Sequence, residues 1–533
     1  MNMRKLVATF GASALIVTGF VAVTPSAHAA DPVCATSAKT GVETCAGKLS
    51  NGASYVMMVP STFNGTFFYW NHGFRASYPY PGYSVPTGVQ EVTPYNPSTG
   101  KDVTQQMLYA GYGLASYDRS STGLHGWNSA DSVEMLKNLI DIAKAKYPTI
   151  KKNIIYGSSA AGAILTPFVE KYPNYADAVG IMAGLTPPAA NEIKSLCDAF
   201  YIMSVFFDPT IKGCAAMGAK GVAGHMAALG ELGKVVALLK GWSADYGAKP
   251  LAYPAAITPY GIPQRSALLL SGLMIGLPTK SSHMDGISTS TLVPEQSINA
   301  TIAILENYGE AIATGALAGQ AISEITGPGF YDNTKTDWAS LLSDEDAARY
   351  NLGLSGDDAI SAMVGVLSMA PRIKGDPAAM AKLAALDHVD FSSTKPTVLL
   401  SNEADRLVFA GNTSYYVDKA QAVYDQRLAD YQSGKSKVKP VWNTLAMYAM
   451  TPVTYTKFLA SGAPDLSAKT AAVSGVGHQN FTVDQMMAWV RILAQSAKYG
   501  HLPTDNYVAA NLKRDPNFNL DPMYRPNDLK YTA

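Results

Sequence analysis

One stretch constrains the fold more than any other: Lys152-Asn153-Ile154-Ile155-Tyr156-Gly157-Ser158-Ser159-Ala160-Ala161-Gly162. Ile154 to Tyr156 reads as a short buried strand, and Gly162-Ala163-Ile164-Leu165-Thr166-Pro167-Phe168-Val169 opens a helical pattern. A strand that turns sharply into a helix, with Ser two residues after Gly, is a nucleophile-elbow arrangement. It lifts the hydroxyl above the sheet edge, at the positive end of the new helix. The turn crowds the Ser backbone, so its neighbours must be small, and Gly157, Ala160, Ala161 and Gly162 meet that demand. The usual G-x-S-x-G has Gly where this chain has Ala161, with Gly162 one place later, so Gly157-x-Ser159-x-Ala161 is a modest departure. Ser158 lacks a Gly two places before it, which makes Ser159 the better nucleophile. The bland alternative is a Gly/Ser turn between a core strand and a core helix.

The flanking chain alternates strand and helix. Ala53 to Pro60 and Gly65 to Asn71 read as strands; the second contains the continuous apolar run Phe67-Phe68-Tyr69-Trp70 expected of a strand buried on both faces. A Tyr/Pro/Gly-rich loop follows around Tyr78, Tyr80 and Tyr83, then a strand from Gly111 to Asp118. A helix is expected from Ser129, as N-cap, to Tyr147, with Pro148 ending it. After the elbow helix comes a strand from Ala178 to Ala183. Such alternation implies right-handed βαβ units on a mostly parallel sheet. From 186 to 390 the pattern turns mainly helical, with segments at Ala215–Trp242, Glu295–Ala318, Ser343–Ser355 and Asp357–Met369. The alternation resumes at Pro396-Thr397-Val398-Leu399-Leu400. It continues with a helix near Ser414–Ala429, a last strand at Ala471-Ala472-Val473-Ser474 and a final helix from Val483 to Ala497. The expected fold is therefore α/β, a mostly parallel sheet flanked by helices, with a helical cap inserted before the acid-bearing strand. The divisions are 1–29 processing segment, 30–185 first core part, 186–390 cap, 391–498 second core part and 499–533 a surface-wrapping tail.

A serine hydroxyl attacks only when a base takes its proton, and the base needs an acid to fix its tautomer and stabilise the imidazolium. Ser159, Asp405 and His478 occur in that order, each just after an expected strand. Glu403, two residues before Asp405, is the rival acid. Beyond Asp405 only His478, in Gly475-Val476-Gly477-His478, follows a strand; His501 lies past the last helix. An oxyanion hole needs two N–H groups, one from Ala160 after the nucleophile. The other is assigned to Phe74 in Asn71-His72-Gly73-Phe74, with Gly73 as the alternative and His72 bracing the loop.

With these residues in view, the chain resembles a secreted member of the α/β-hydrolase superfamily. The matching features are His72-Gly73 after one strand, Asp118-Arg119 after the next, Gly157-x-Ser159, Asp405 and Gly477-His478, over about residues 50–185 and 391–498. The resemblance implies the hydrolase fold, acylation of Ser159 and deacylation by a water that His478 activates. It does not extend to 186–390. Ala161-Gly162 is similar to the G-x-S-x-A-G of serine carboxypeptidases without the rest of that family's features, and no Cys stands beside the Ser as in the tannase and feruloyl-esterase group.

Composition and the N-terminus set the compartment. Arg4 and Lys5 precede an apolar stretch from Leu6 to about Val23, and Ala27-x-Ala29 has the form of a cleavage site. Export with cleavage after Ala29 is expected, with no other membrane-spanning run and no membrane partner afterwards. Cys34 with Cys45 and Cys197 with Cys214 are the simplest pairing of the four cysteines in an oxidising compartment, each bridge contributing roughly 3 kcal/mol by loop entropy. Lys+Arg and Asp+Glu are both 41, which argues against nucleic acid as a partner. No cofactor or metal is expected, since the cysteine spacings match no zinc motif and H-E-x-x-H is absent. The leading function is hydrolysis of a small-molecule or oligomeric carboxylic ester. A serine peptidase is the alternative, with Glu306 and Glu310, four apart on one cap helix, as candidates to hold a substrate ammonium. A catalytically inactive hydrolase fold used for binding is the third reading.

Overall fold

The computed structural model describes residues 31–123, 125–245, 254, 257–262, 264–286, 294–342, 357–386, 389–460, 465, 467, 474–513, 515 and 517–525. The processing segment with Arg4, Lys5 and Ala29, the helix expected at 343–355 and the strand residues 471–473 lie outside the described residues.

The strands are β1 (Val33–Thr36), β2 (Glu43–Lys48), β3 (Ser54–Val59), β4 (Thr66–Asn71), β5 (Gly113–Tyr117), β6 (Lys152–Ser158), β7 (Ala178–Met182), β8 (Thr397–Asn402), β9 (Thr444–Ala449) and β10 (Phe518–Asn519). They form one ten-stranded sheet in the order β1-β2-β3-β5-β4-β6-β7-β8-β9-β10, and a short ladder at 95–96 and 101–102 stands apart. Pairings are antiparallel from β1 to β5, parallel from β5 to β9 and antiparallel again at β10. The helices are α1 (Thr104–Tyr109), α2 (Ser129–Lys146), α3 (Gly162–Lys171), α4 (Ala189–Phe206), α5 (Gly221–Asp245), α6 (Gln264–Met274), α7 (Pro294–Thr326), α8 (Asp357–Met369), α9 (Pro377–Ala384), α10 (Gly411–Gln432), α11 (Val483–Tyr499) and α12 (Asp505–Leu512).

Both faces of the sheet are covered, which is why its central strands are apolar without alternation. Successive side chains of a strand point to opposite faces. Tyr69, Ile155, Val179 and Leu399 accordingly pack with α2, α3 and α10. Trp70, Ile154, Tyr156 and Leu400 pack with α11 and α1 on the other side. The strand order, the parallel centre and helices on both faces define the α/β-hydrolase fold. β7 and β8 are neighbours in the sheet although residues 183–396 separate them, and among the described residues of that interval the regular elements are helices. Helices α4 to α9 have their own apolar cluster, which reaches down to Ala160 and Ala163 at the start of α3.

Several boundaries differ from expectation. Asn128, not Ser129, precedes α2. Residues 213–216 form a separate 3-10 turn, α5 starts only at Gly221, and Glu231 on α5 accepts from the Lys212 and Gly213 N–H groups and ties that turn to the helix. By length and composition Gly221–Trp242 is apolar enough to cross a bilayer, contrary to the expectation of no such run, and Ala228, Val235, Leu239 and Trp242 are buried in the helical cluster. The chain after Gly500 does not merely wrap the surface: it adds α12 and the edge strand β10. β9 and α4 were not anticipated. The bridges are Cys34–Cys45, which faces across β1 and β2, and Cys197–Cys214, which ties α4 to the 3-10 turn.

Helix α11 clamps the sheet through Trp489, which is fully buried and donates its indole N–H to the Val398 carbonyl at 3.0 Å. Trp489→Ala is expected to cost about 3–5 kcal/mol of stability, measured by chemical denaturation; a loss under about 1 kcal/mol would show that the helix does not depend on this contact.

Candidate active site

Ser159 follows β6 directly and has φ 57°, in the left-handed region that non-glycine residues rarely adopt. Two glycines make that conformation possible by letting backbones close in. A Cβ on Gly157 would stand 2.4 Å from the Asn71 carbonyl oxygen, and one on Gly162 would stand 2.2 Å from the Leu185 oxygen. The close approach has moved from 161 to 162, so the departure from G-x-S-x-G needs no further accommodation: Ala161 is tolerated where Gly is usual. Ser158 is extended and 1% exposed, whereas Ser159 is partly exposed.

Asp405 lies in the loop after β8 and is fully buried. Its Oδ1 accepts from the Leu407 and Val408 N–H groups at 2.9 and 3.0 Å, and its Oδ2 accepts from His478 Nδ1 at 2.8 Å. That bond puts the His478 proton on Nδ1 and leaves Nε2 as the basic nitrogen. The two loops are zipped together. Ala404 N–H donates to the Gly475 carbonyl (2.8 Å), Gly477 N–H to the Ala404 carbonyl (3.0 Å) and Asn402 Nδ2 to the Gly477 carbonyl (2.7 Å). Gly475 and Gly477 have φ 80° and 88°, conformations glycine adopts without strain. Glu403 is turned elsewhere. It accepts from Lys280 Nζ at 2.7 Å and from the Thr451 hydroxyl at 2.6 Å. Burial opposes its ionisation, yet Lys280 and Thr451 outweigh burial and hold the carboxyl below its ordinary range.

Gly73 borders the nucleophile. A Cβ there would lie 3.0 Å from Ser159 Cβ, 3.5 Å from its Oγ and 3.7 Å from Gln479 Nε2. The Gly73 carbonyl is held from behind by Arg119 Nη2 and by His72 Nδ1, the latter at 2.8 Å. In a planar trans peptide the N–H points opposite to the C=O. Fixing that carbonyl therefore aims the Phe74 N–H away from Arg119, and among the described residues this N–H has no acceptor. The Ala160 N–H lies in the first turn of a helix, where backbone donors have no intrahelical acceptor. Burial, with Arg119 and Arg75 alongside, holds the His72 imidazole neutral, well below its usual range. Burial also lowers the Arg119 guanidinium to about 10, which leaves it charged at neutral pH. Arg75 pairs with Glu91 at 3.0 Å and Asp118 at 3.3 Å, and Asp118 also meets His125 and the Gly88 N–H. This network pins the Tyr-rich loop, in which Tyr80 and Tyr83 stack on each other at 4.7 Å.

Sequence reasoning missed Gln479. Its Nε2 is 3.1 Å from His478 Nε2, and its φ is 55°. Ser159 Oγ has no hydrogen-bond partner among the described residues. Glu306 accepts from the Ser281 hydroxyl at 2.5 Å, and Glu310 is held bidentately by Arg406 at 2.6 and 2.7 Å. Neither sits on an open solvated face.

No family model and no curated protein matches the chain. Among solved structures it is similar to a ligand-bound form of the rice cell wall degrading esterase LipA from Xanthomonas oryzae (12% identity, 90% of this chain and 100% of that chain, TM-score 0.35). It is similar to feruloyl esterase B from Aspergillus oryzae (11%, 88% and 86%, TM-score 0.34). Tannin acyl hydrolase from Aspergillus niger is also similar (11%, 90% and 83%, TM-score 0.35). At such identities and TM-scores no residue role transfers. The elbow here has Ser158 and Ala160 beside Ser159, and both disulfides lie elsewhere.

The left-handed Ser159 should carry a measurable strain. Ser159→Gly is expected to be more stable than Ser159→Ala by about 1 kcal/mol in chemical denaturation, because only Gly takes this φ freely. Equal stability would show that the elbow stores no strain at this residue.

Proposed function

We propose that this protein is an exported serine hydrolase of carboxylic esters. The reading is supported by a left-handed, partly exposed Ser159 that borders Gly73, by the Gln479 amide on the other side of Gly73 that lies against His478, and by the bond from His478 Nδ1 to the buried Asp405. In this mechanism Ser159 Oγ attacks the ester carbonyl carbon while its proton passes to His478 Nε2. The developing oxyanion accepts from the Ala160 and Phe74 N–H groups. The imidazolium, stabilised by Asp405, gives its proton to the leaving alcohol. Water, deprotonated by His478, then releases the acid and restores Ser159.

Residues 186–390 act as a cap over the sheet edge. Their attachment supports this, since Lys280–Glu403 and Arg406–Glu310 join the helical layer to the chain on either side of Asp405. The same pairs weigh against the aminopeptidase reading: Glu310 is neutralised by Arg406 and Glu306 is already engaged, so neither is placed to hold a free ammonium. Two local disulfides and the Ala27-x-Ala29 leader support export.

The test is a paired panel on purified protein, nitrophenyl esters of increasing acyl length against aminoacyl- and peptidyl-nitroanilides. Ester turnover is expected. Ser159→Ala should lower it by about 10⁴-fold or more with the protein still folded, and Asp405→Asn should be far more damaging than Glu403→Gln. Amide turnover requiring a free N-terminus would reverse the assignment to peptidase. Loss of activity in Ser158→Ala but not in Ser159→Ala would move the nucleophile.

A further inference from the structure

We infer that Gln479 is a gate on the catalytic base, its carboxamide capping His478 Nε2 until an ester displaces it. The inference rests on the triad reading above. With the Nδ1 proton committed to Asp405, Nε2 is an acceptor, and the group 3.1 Å from it is the Gln479 amide nitrogen, a donor. The lone pair that must take the Ser159 proton is thus already occupied.

The arrangement is built rather than incidental. Glutamine has no preference for the left-handed region, where Asn, Asp and His are the enriched side chains, yet Gln479 sits there at φ 55° and is 7% exposed. Strain of this kind persists only where surrounding structure over-determines it. Here the Phe481 N–H donates to the Gln479 carbonyl at 2.9 Å. Asn96 Nδ2 ties down Asn480 Oδ1 at 3.0 Å and the Phe481 carbonyl at 2.8 Å. The effect is to lay the carboxamide between His478 and the space beside Gly73 and Ser159. An ester entering against Gly73 meets this amide, which must move off Nε2 before Ser159 can be deprotonated. The resting enzyme therefore keeps its base occupied.

The test measures how fast a fluorophosphonate modifies Ser159 in the full-length protein. The Oγ–P bond forms, fluoride leaves and the hydroxyl proton passes to His478 Nε2, so the rate reads how free that nitrogen is. Gln479→Gly removes the cap and suits the backbone, and Gln479→Asn keeps an amide too short to reach while tolerating the left-handed conformation. Both are expected to label about three- to tenfold faster than the native protein, the range an ordinary hydrogen bond represents. Structural damage would slow labelling instead. Unchanged or slower labelling in Gln479→Gly, with native-like thermal unfolding, would overturn the gate and leave the triad standing. No labelling of the native protein would overturn the triad reading, and the gate with it.

Discussion

The contact on which the rest depends is the backbone approach at the elbow. Gly157 lets β6 press against Asn71 at the end of β4, and Gly162 lets α3 press against Leu185 after β7. A side chain at either position would push these segments apart by more than the packed interior allows. The geometry of three neighbouring parallel strands converges there, and it is this convergence that forces Ser159 into the left-handed region and presents its hydroxyl. Gly73 extends the same logic across the site, since its missing side chain leaves open the space beside Ser159 and Gln479.

Around this point charge is arranged in two shells with different tasks. Behind the loop that carries Gly73, Arg119 and a neutral His72 hold one carbonyl, so the opposite N–H, that of Phe74, points away from Arg119. A neutral imidazole suits this place, because a second cation beside buried Arg119 would be repelled in a low-dielectric setting. Around Asp405, the flanking charges pair with the helical layer: Glu403 with Lys280, Arg406 with Glu310. Asp405, between them, keeps one oxygen for backbone N–H groups and one for His478. The neighbours that bind the helical layer are thereby chemically separate from the carboxylate that holds His478.

Much of this was legible in the chain. Continuous apolar runs such as Phe67 to Trp70 announce strands covered on both faces, and the Gly157–Gly162 spacing announces the turn between strand and helix. The Asp405–His478 contact was readable in part, because Asp405 closely follows an apolar strand and His478 sits in a Gly-x-Gly-His turn. The choice between Asp405 and Glu403 was not: two carboxylates two residues apart differ only in which partner the fold brings to each. β9, Thr444-Leu445-Ala446-Met447-Tyr448-Ala449, escaped notice because a short run with two alanines has no strong strand signature and becomes a strand through its pairing with β8. The roles of Glu306 and Glu310 escaped for a similar reason, since helical spacing places two carboxylates on one face but cannot say that Arg406 and Ser281 lie opposite.

The sequence by itself determined the layered sheet and the turn from β6 into α3, because hydrophobic periodicity and glycine placement act over a few residues and are written locally. The tertiary structure alone decided which carboxylate faces His478, how Arg119 fixes the Gly73 carbonyl, and that the Gln479 amide lies on His478 Nε2. Each of these depends on distances between segments far apart in the chain, and such distances are set by the packing of the whole sheet and its helices rather than by any local pattern.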